Sequence, residues 1–129
     1  MDFTFSEDQD ALRDSVRAFL AEQSPSTYVR EMADDARGFT DELWTRLSEL
    51  GWPAILVPEE QGGLGLGMVD AVVLLEEMGR VPFPGPFFSS AIEATIAARR
   101  LGAVELLEGL ADGTQRGTVA LDELGHGDP

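Results

Sequence analysis

Residues 51–67 have the sequence GWPAILVPEEQGGLGLG and lie between two segments with helical patterns. Within this stretch only residues 54–57 have β propensity, and Pro53 and Pro58 bound that short run. The stretch is too apolar for a linker, and its five glycines make it too interrupted for a helix. We therefore predict an ordered, packed connector in which Trp52 and the aliphatic side chains are buried, while the glycines provide positive φ angles or close backbone approach.

The same connector could also be a phosphate-binding loop, because four of its glycines precede a helix whose N-terminus could hold an anion. Its spacing matches neither the dinucleotide fingerprint G-x-G-x-x-G nor the P-loop G-x-x-x-x-G-K-[ST], and the chain has no lysine. The candidate strand at 54–57 is short, and no second strand follows it at βαβ spacing. A structural connector is the preferred interpretation, and a nucleotide cradle is the alternative.

Three helices are predicted before the connector. Ser6 and Gln9 form a capping box at the start of the first helix. A short, weakly amphipathic helix is predicted over residues 27–36. Thr40 caps the third helix, and Gly51 ends it in the left-handed conformation.

After the connector, residues 68–78 are apolar on nearly every side, which predicts the central buried helix of a bundle, ended by Gly79. Residues 81–88 contain three prolines and three phenylalanines, which predicts a rigid, extended segment with exposed aromatic side chains. Ser90 and Glu93 match a second capping box.

Two further helices complete the pattern, one running from Ser90 to Gly102 and one from Val104 to about Ala111. Five or six helices with short connections predict an all-α bundle. The C-terminal tail differs, because residues 118–121 have β propensity and a lone strand is not stable beside a bundle. We predict a helical domain over residues 1–116 and the truncated start of a β-rich region over 117–129, so that the chain is a fragment or a truncated product.

The composition excludes several classes of function. The chain has 129 residues and a net charge of −15, so nucleic acid and anionic membrane surfaces are poor partners. The absence of cysteine excludes disulfides, thiol catalysis and thiolate metal sites. Neither an 18-residue apolar run nor an arginine-rich leader is present, so we expect no membrane span and a cytoplasmic location.

Candidate metal ligands and catalytic groups are also sparse. Glu76 and Glu77 are adjacent and should point in different directions, and His126 is the only histidine. No Glu-x-x-His pattern of a di-iron bundle occurs. The residues alone predict no metal site and no catalytic residue.

Three stretches resemble the N-terminal helical domain of the acyl-CoA dehydrogenase family. They are MDFTFSEDQDALRDSVRAFLAE (1–22), DELWTRLSELGWPAILVPEEQGGLGLG (41–67) and VVLLEEMGRVPFPGPFFSS (72–90). The family typically has a Gly-Trp … Pro-Glu-Glu-x-Gly-Gly-x-Gly connector, followed by a helix that ends in Glu-Glu-(Leu/Met)-Gly. The proline-rich edge resembles bacterial members that act on bulky or steroid-type acyl-CoA substrates.

The resemblance implies a three-domain enzyme that holds FAD and removes hydrogen from the α and β carbons of an acyl-CoA thioester. The catalytic carboxylate and most of the flavin site belong to domains that follow this one in the family. The chain alone would therefore be inactive and would not bind FAD tightly. Its implied partners are the acyl-CoA substrate and the rest of the chain or a related subunit, in a homo- or hetero-oligomer.

The resemblance also places cofactor-contacting residues in the tail. The family's middle domain opens with Thr-Glu-Pro-x-x-Gly-Ser-Asp, which aligns with residues 122–129, DELGHGDP. Leu121 and Asp122 would lie beside the flavin and Gly127 near the substrate. The sequence departs from the family at Asp122, which replaces Thr, and at Leu124, which replaces Pro, and these departures put the usual flavin contacts in doubt.

Along the helix after the proline-rich edge, the same resemblance makes Phe87, Ser89, Ser90 and Glu93 candidates for the wall of the acyl pocket. Interdomain packing and helix capping are open alternatives for these residues, and capping is preferred for Ser90. For the whole protein, the alternative to an enzyme is a non-catalytic helical interaction or assembly module derived from the same family.

Overall fold

The computed structural model describes residues 4–120, which form an all-helical bundle with no β-strand in that range. The α-helices are α1 (Glu7–Gln23), α2 (Ser26–Asp34), α3 (Asp41–Glu49), α4 (Met68–Arg80), α5 (Thr95–Leu101) and α6 (Val104–Ala111). Two 3₁₀ turns, Trp52–Ala54 and Glu59–Gln61, lie in the connector, and a π-helix, Phe88–Ala94, runs directly into α5. The prediction of an all-α bundle is confirmed.

The predicted helix starts before the connector are present. The Ser6 hydroxyl accepts the N–H of Gln9, and the Gln9 side chain accepts the N–H of Ser6, so the capping box is complete. The Thr40 hydroxyl accepts the N–H of Leu43 at the start of α3. Gly51 follows α3 with φ 74°, the left-handed conformation expected of it.

The connector is packed, as predicted, but residues 54–57 are not a strand. Trp52 and Ile55–Val57 are buried, and the Trp52 ring meets Phe19 edge-on with centroids 5.0 Å apart. The chain turns through a 3₁₀ helix here and is then held by N–H groups of residues 64–66, which donate to carbonyls of 54–57. A Cβ on Gly63 would lie 1.9 Å from the Val57 carbonyl oxygen, so only glycine allows this close approach.

The second predicted capping box is wrong. Ser90 is buried inside the π-helix, and its hydroxyl accepts the N–H of Gly117 instead of a helix N–H. The helix begins earlier because the Pro86 carbonyl accepts the N–H of Ser90. The prediction for the proline-rich edge is correct for one of its adjacent phenylalanines: Phe88 is 53% exposed, but Phe87 is buried in the core.

The segment after α6 crosses back over the bundle. The Trp44 indole donates to the Gly113 carbonyl (2.9 Å), and Arg116 pairs with Asp41 (2.9 Å). Residues 115–120 have no regular secondary structure, so the described part of the predicted β-rich region is not a strand. The rest of that region, residues 121–129, lies outside the described residues.

Candidate functional site

Helix α4 has one buried side and one exposed apolar side. Val73 and Leu74 are fully buried, whereas Met68, Val69 and Val72 are 46%, 55% and 44% exposed. The prediction that this helix is buried on all sides is therefore wrong, and it also continues through Gly79 to Arg80. A helix that is apolar on all sides is expected to be packed against other elements on all sides. Within residues 4–120 no element packs over the side that carries Met68 and Val72.

The exposed side forms a continuous stripe, which we call the outer face of α4. It consists of Met68, Val72, Leu75 and Gly79, spaced four, three and four residues apart and therefore aligned along one side of the helix. Leu75 is half-buried, and the other three are exposed. The outer face is apolar along three turns of helix.

A hollow lies at each end of the outer face. The one at the C-terminal end, the phenylalanine hollow, has a volume of about 330 Å³ and is lined by Leu75, Gly79, Phe87 and Phe88 among others. The one at the N-terminal end, the arginine hollow, has a volume of about 410 Å³ and is lined by Met68, Ile96, Arg99 and Arg100. The outer face therefore joins a largely apolar hollow at one end to a hollow lined partly by arginines at the other.

The inner side of α4 is fixed by a buried carboxylate. Glu77 is 2% exposed and accepts two hydrogen bonds from the Arg17 guanidinium, at 2.8 and 3.0 Å. Arg13 and Arg80 approach it to 3.5 Å. The hydrogen bonds from Arg17 lower the pKa of Glu77 against the opposing effect of burial, so the side chain is ionised and paired at neutral pH.

The neighbouring carboxylate behaves differently. Glu76 is exposed and pairs with Arg13 at 2.6 Å, so the two adjacent glutamates point in different directions, as predicted, yet meet the same arginine. No group of three or more His, Asp or Glu side chains within residues 4–120 could hold a metal ion. Glu76 and Glu77 are therefore structural groups, because their ion pairs with Arg13 and Arg17 join α4 to α1.

The N-terminal end of α4 is tied to the N-terminus of α1. The Gln9 amide donates to one oxygen of Asp70 (3.1 Å), and the other oxygen accepts the N–H of Gly67 (2.9 Å). The same Gln9 completes the capping box of α1. The two helix starts are therefore held together by one shared side chain.

A flavin phosphate does not fit the glycine-rich part of the connector. Gly63 packs against the Val57 carbonyl, and the start of α4 is already capped by the Asp70 carboxylate, which would repel a phosphate. Among residues 4–120 the connector is structural, and the nucleotide-cradle alternative fails. Within residues 4–120 the connector therefore does not form a dinucleotide site.

The predicted acyl-wall residues occupy different environments. Phe87 is buried in the core and lines the phenylalanine hollow. The half-buried Ser89 donates its hydroxyl to the Pro86 carbonyl (3.1 Å), and Glu93 is exposed on the following turn. The Ser90 hydroxyl accepts a hydrogen bond from the N–H of Gly117 (3.1 Å).

The predicted flavin residues Leu121 and Asp122 and the predicted substrate residue Gly127 lie outside the described residues, as does His126. The sequence reasoning missed the outer face and the arginine hollow. The sequence did contain a sign of the outer face. Residues 68–78 include more apolar side chains than a helix can bury when only one of its sides is covered.

No helix among residues 4–120 has both the length and the apolar character needed to cross a bilayer.

The chain is similar to known proteins along most of its length. The family model described as "Acyl-CoA dehydrogenase, N-terminal domain" matches residues 6–106. The chain is 36% identical to acyl-CoA dehydrogenase IpdE2 of Mycolicibacterium smegmatis over 118 residues, covering 91% of this chain and 38% of that relative. It is 32% identical to acyl-CoA dehydrogenase FadE27 of Mycobacterium tuberculosis over 132 residues, covering 98% of this chain and 35% of that relative.

Two solved structures are similar in fold and sequence. A chain of the ChsE4–ChsE5 complex from Mycobacterium tuberculosis superposes with a TM-score of 0.85 at 31% identity, covering 98% of this chain and 36% of that one. A variant of the Tcur3481–Tcur3483 steroid ACAD superposes with a TM-score of 0.81 at 31% identity, covering 92% of this chain and 34% of that one. The chain spans little more than a third of the length of each of these four proteins.

Proposed function

This chain belongs to the acyl-CoA dehydrogenase family, and from that membership we propose that it is the N-terminal part of an FAD-dependent enzyme that oxidises the Cα–Cβ bond of an acyl-CoA thioester. The match over residues 6–106 and the all-helical fold support this position in the enzyme. The length of the relatives supports a division of labour in which other polypeptide supplies the catalytic carboxylate and the flavin site.

The observation that carries the proposal is the outer face of α4. Met68 and Val72 on this face, and Val69 beside it, are about half exposed to water, where a self-contained domain would place polar groups. Covering each of them would contribute about 1 kcal/mol of stability. We infer that the outer face packs against the remainder of the enzyme and that the hollows at its two ends become enclosed when it does.

We propose that the phenylalanine hollow then forms part of one wall of the acyl pocket. Phe87 provides its floor and Phe88 its exposed rim, which would suit an apolar acyl group. Ser89 and Glu93 remain proposed wall residues on the same helical segment. The role of such a wall is to position the acyl chain and to exclude water from the reacting carbons.

In the tail, Leu121 and Asp122 remain proposed flavin neighbours and Gly127 a proposed substrate neighbour. The domain boundary is proposed at residue 116, with 117–129 beginning the next domain. The hydrogen bond from Gly117 to Ser90 supports a helical unit that extends to this point. FAD would be held mainly by polypeptide beyond these residues, because the glycine-rich connector does not form a phosphate site.

One of the two similar structures is the ChsE4–ChsE5 complex, and the other carries the double name Tcur3481–Tcur3483 and is a steroid ACAD. We therefore propose a hetero-oligomeric assembly and a bulky, ring-bearing acyl group for the intact protein. The alternative, a non-catalytic assembly module, is favoured by the departures at Asp122 and Leu124 from the family's flavin-contacting motif. Both functions use the same outer face, but only the enzyme would bind flavin in a complete site.

A chimera tests the proposal. This chain would replace the corresponding N-terminal third of the Mycolicibacterium smegmatis relative, and the purified protein would be compared with that relative for flavin absorbance and for anaerobic bleaching by linear and ring-bearing acyl-CoA thioesters. We expect a yellow protein that an acyl-CoA bleaches. A chimera that folds by circular dichroism but stays colourless would contradict the enzymatic function and favour the assembly module.

The outer face is tested in the same chimera. Val72→Asp places a charge in the proposed interface, whereas Leu50→Asp places the same charge on a similarly exposed apolar residue of another surface. We expect Val72→Asp to lose flavin and bleaching and Leu50→Asp to retain both. Equal loss, or no loss, in the two variants would contradict the assignment of this face.

A further inference from the structure

A third concave region lies where α1 ends, α2 begins and α4 ends, and it shares the lining residue Pro82 with the phenylalanine hollow. This groove has a volume of about 350 Å³. The lining residues that matter to the argument are Ser24, Ser26, Val29, Arg30, Arg80 and Val81. No carboxylate is among its lining residues, although the chain carries a net charge of −15.

The groove contains the first turn of α2, which lacks the usual groups that neutralise a helix N-terminus. Its N-cap is Pro25, which provides no side-chain hydrogen bond, and its first turn has no acidic residue. By contrast, α1 and α3 have a serine or threonine cap and two or more acidic residues in the first turn. The positive end of the α2 dipole is therefore open toward the groove.

Ser24 provides an independent indication of a ligand. Its side chain is 2% exposed, and its hydroxyl has no hydrogen-bond partner in the described part of the chain. Buried hydroxyls are nearly always paired, so one left unpaired in the wall of a groove indicates a missing partner. The hydroxyl can donate one hydrogen bond to an acceptor in the groove.

Two arginines complete the electrostatic environment. Arg30 lies one turn into α2 and forms no ion pair among the described residues. Arg80 at the end of α4 is exposed and reaches Glu77 only at 3.5 Å, so its guanidinium retains free donors. Val29 and Val81 supply an apolar wall beside these charges.

We propose that this groove binds a small anion that carries an apolar body. A carboxylate or phosphate ester would accept hydrogen bonds from the open N–H groups of α2, from the Ser24 hydroxyl and from Arg30 and Arg80. Its apolar body would lie against Val29 and Val81. None of the residues that would bind the anion belongs to the outer face of α4, and the site does not depend on the function proposed above.

Titration of the 129-residue chain at low ionic strength tests the site. The probes are hexanoate, phenyl phosphate and inorganic phosphate, and the readout is the amide NMR shift of residues 26–28 together with the Kd. We expect saturable shifts at these amides with hexanoate or phenyl phosphate, and weaker binding of inorganic phosphate, which has no apolar body. The two organic probes distinguish carboxylate from phosphate-ester recognition. Shifts absent with both, or binding of inorganic phosphate as tight as theirs, would overturn the proposal.

Matched variants separate a built site from general attraction of anions to arginine. Arg30→Gln removes a guanidinium that forms no ion pair with a carboxylate among the described residues. Ser24→Ala removes the unpaired hydroxyl and leaves the hydrogen bond from the Ser24 backbone N–H to the Leu20 carbonyl in place. We expect each to weaken binding by about 5-fold or more, with unchanged thermal unfolding. Arg100→Gln, a change of equal charge in the arginine hollow, should leave the Kd unchanged. A loss with Arg100→Gln as large as with Arg30→Gln would overturn the proposal.

Discussion

Each side of α4 carries residues that are usually found on the other side of a surface helix. Its inner side buries a glutamate that is hydrogen-bonded to Arg17 and approached by two more arginines, and its outer side exposes methionine and valine to water. A buried ion pair contributes less to stability than to a defined arrangement of its partners, and exposed valines contribute nothing until they are covered. The difference indicates that the inner side sets how α4 is held and that the outer side serves an interaction beyond the described chain.

Truncating the inner side should have the largest effect. Leu74→Ala removes a fully buried side chain from the core cluster and should lower the free energy of unfolding by about 2–5 kcal/mol, because it loses apolar burial and leaves a cavity. Urea unfolding of the isolated chain measures the effect. A loss below about 1 kcal/mol would mean that the inner side packs loosely and that the two sides differ less than the structure indicates.

Removing the buried charge should have an intermediate effect that depends on pH. The pKa of Glu77 is lowered in the folded chain, so its contribution is full above the unfolded value of about 4.3 and is lost as the pH falls through the folded value. Glu77→Gln should cost about 1–3 kcal/mol at pH 7, because Arg17 loses a charged acceptor, and the difference from the parent should shrink as the pH falls below the unfolded value and through the lowered pKa of Glu77.

Glu76→Gln is the control for that measurement, since it changes the adjacent, exposed carboxylate and should cost less than about 0.5 kcal/mol. Urea unfolding at a series of pH values gives both results. Equal losses for the two glutamine variants, or a Glu77→Gln difference that does not vary with pH, would argue against a stabilising buried pair.

Truncating the outer side should have the smallest effect. Val72→Ala changes a side chain that stays largely in water, so the isolated chain should unfold within about 0.5 kcal/mol of the parent. The same substitution in the chimera with the longer relative should cost more, because there the valine would be covered. A loss in the isolated chain comparable to that of Leu74→Ala would show that this side is already buried.

Features controlled by neighbouring residues could be predicted from the sequence. The Ser6–Gln9 capping box, the Thr40 cap and the left-handed Gly51 depend on groups three or four residues apart, so their pattern determines their structure. The packed connector was also predictable, because its apolar residues need burial and its glycines mark where the backbone must approach closely.

Features decided by distant contacts could not be predicted. Ser90 and Glu93 have the spacing of a capping box, but Ser90 is instead engaged by Gly117, 27 residues away. Phe87 and Phe88 are adjacent and chemically identical, and the register of the π-helix makes one buried and the other exposed. For the candidate site, periodicity identified α4 as apolar all round but could not show which side the rest of the chain covers.

The anchoring of the segment after α6 has a consequence for any polypeptide that continues from it. Three contacts attach this segment to the bundle: Trp44 bonds to Gly113, Asp41 pairs with Arg116, and Ser90 bonds to Gly117. The backbone therefore leaves the helices from a fixed position and in a defined direction. A neighbouring domain that follows this segment would therefore be connected to the helical unit at a fixed position on its surface.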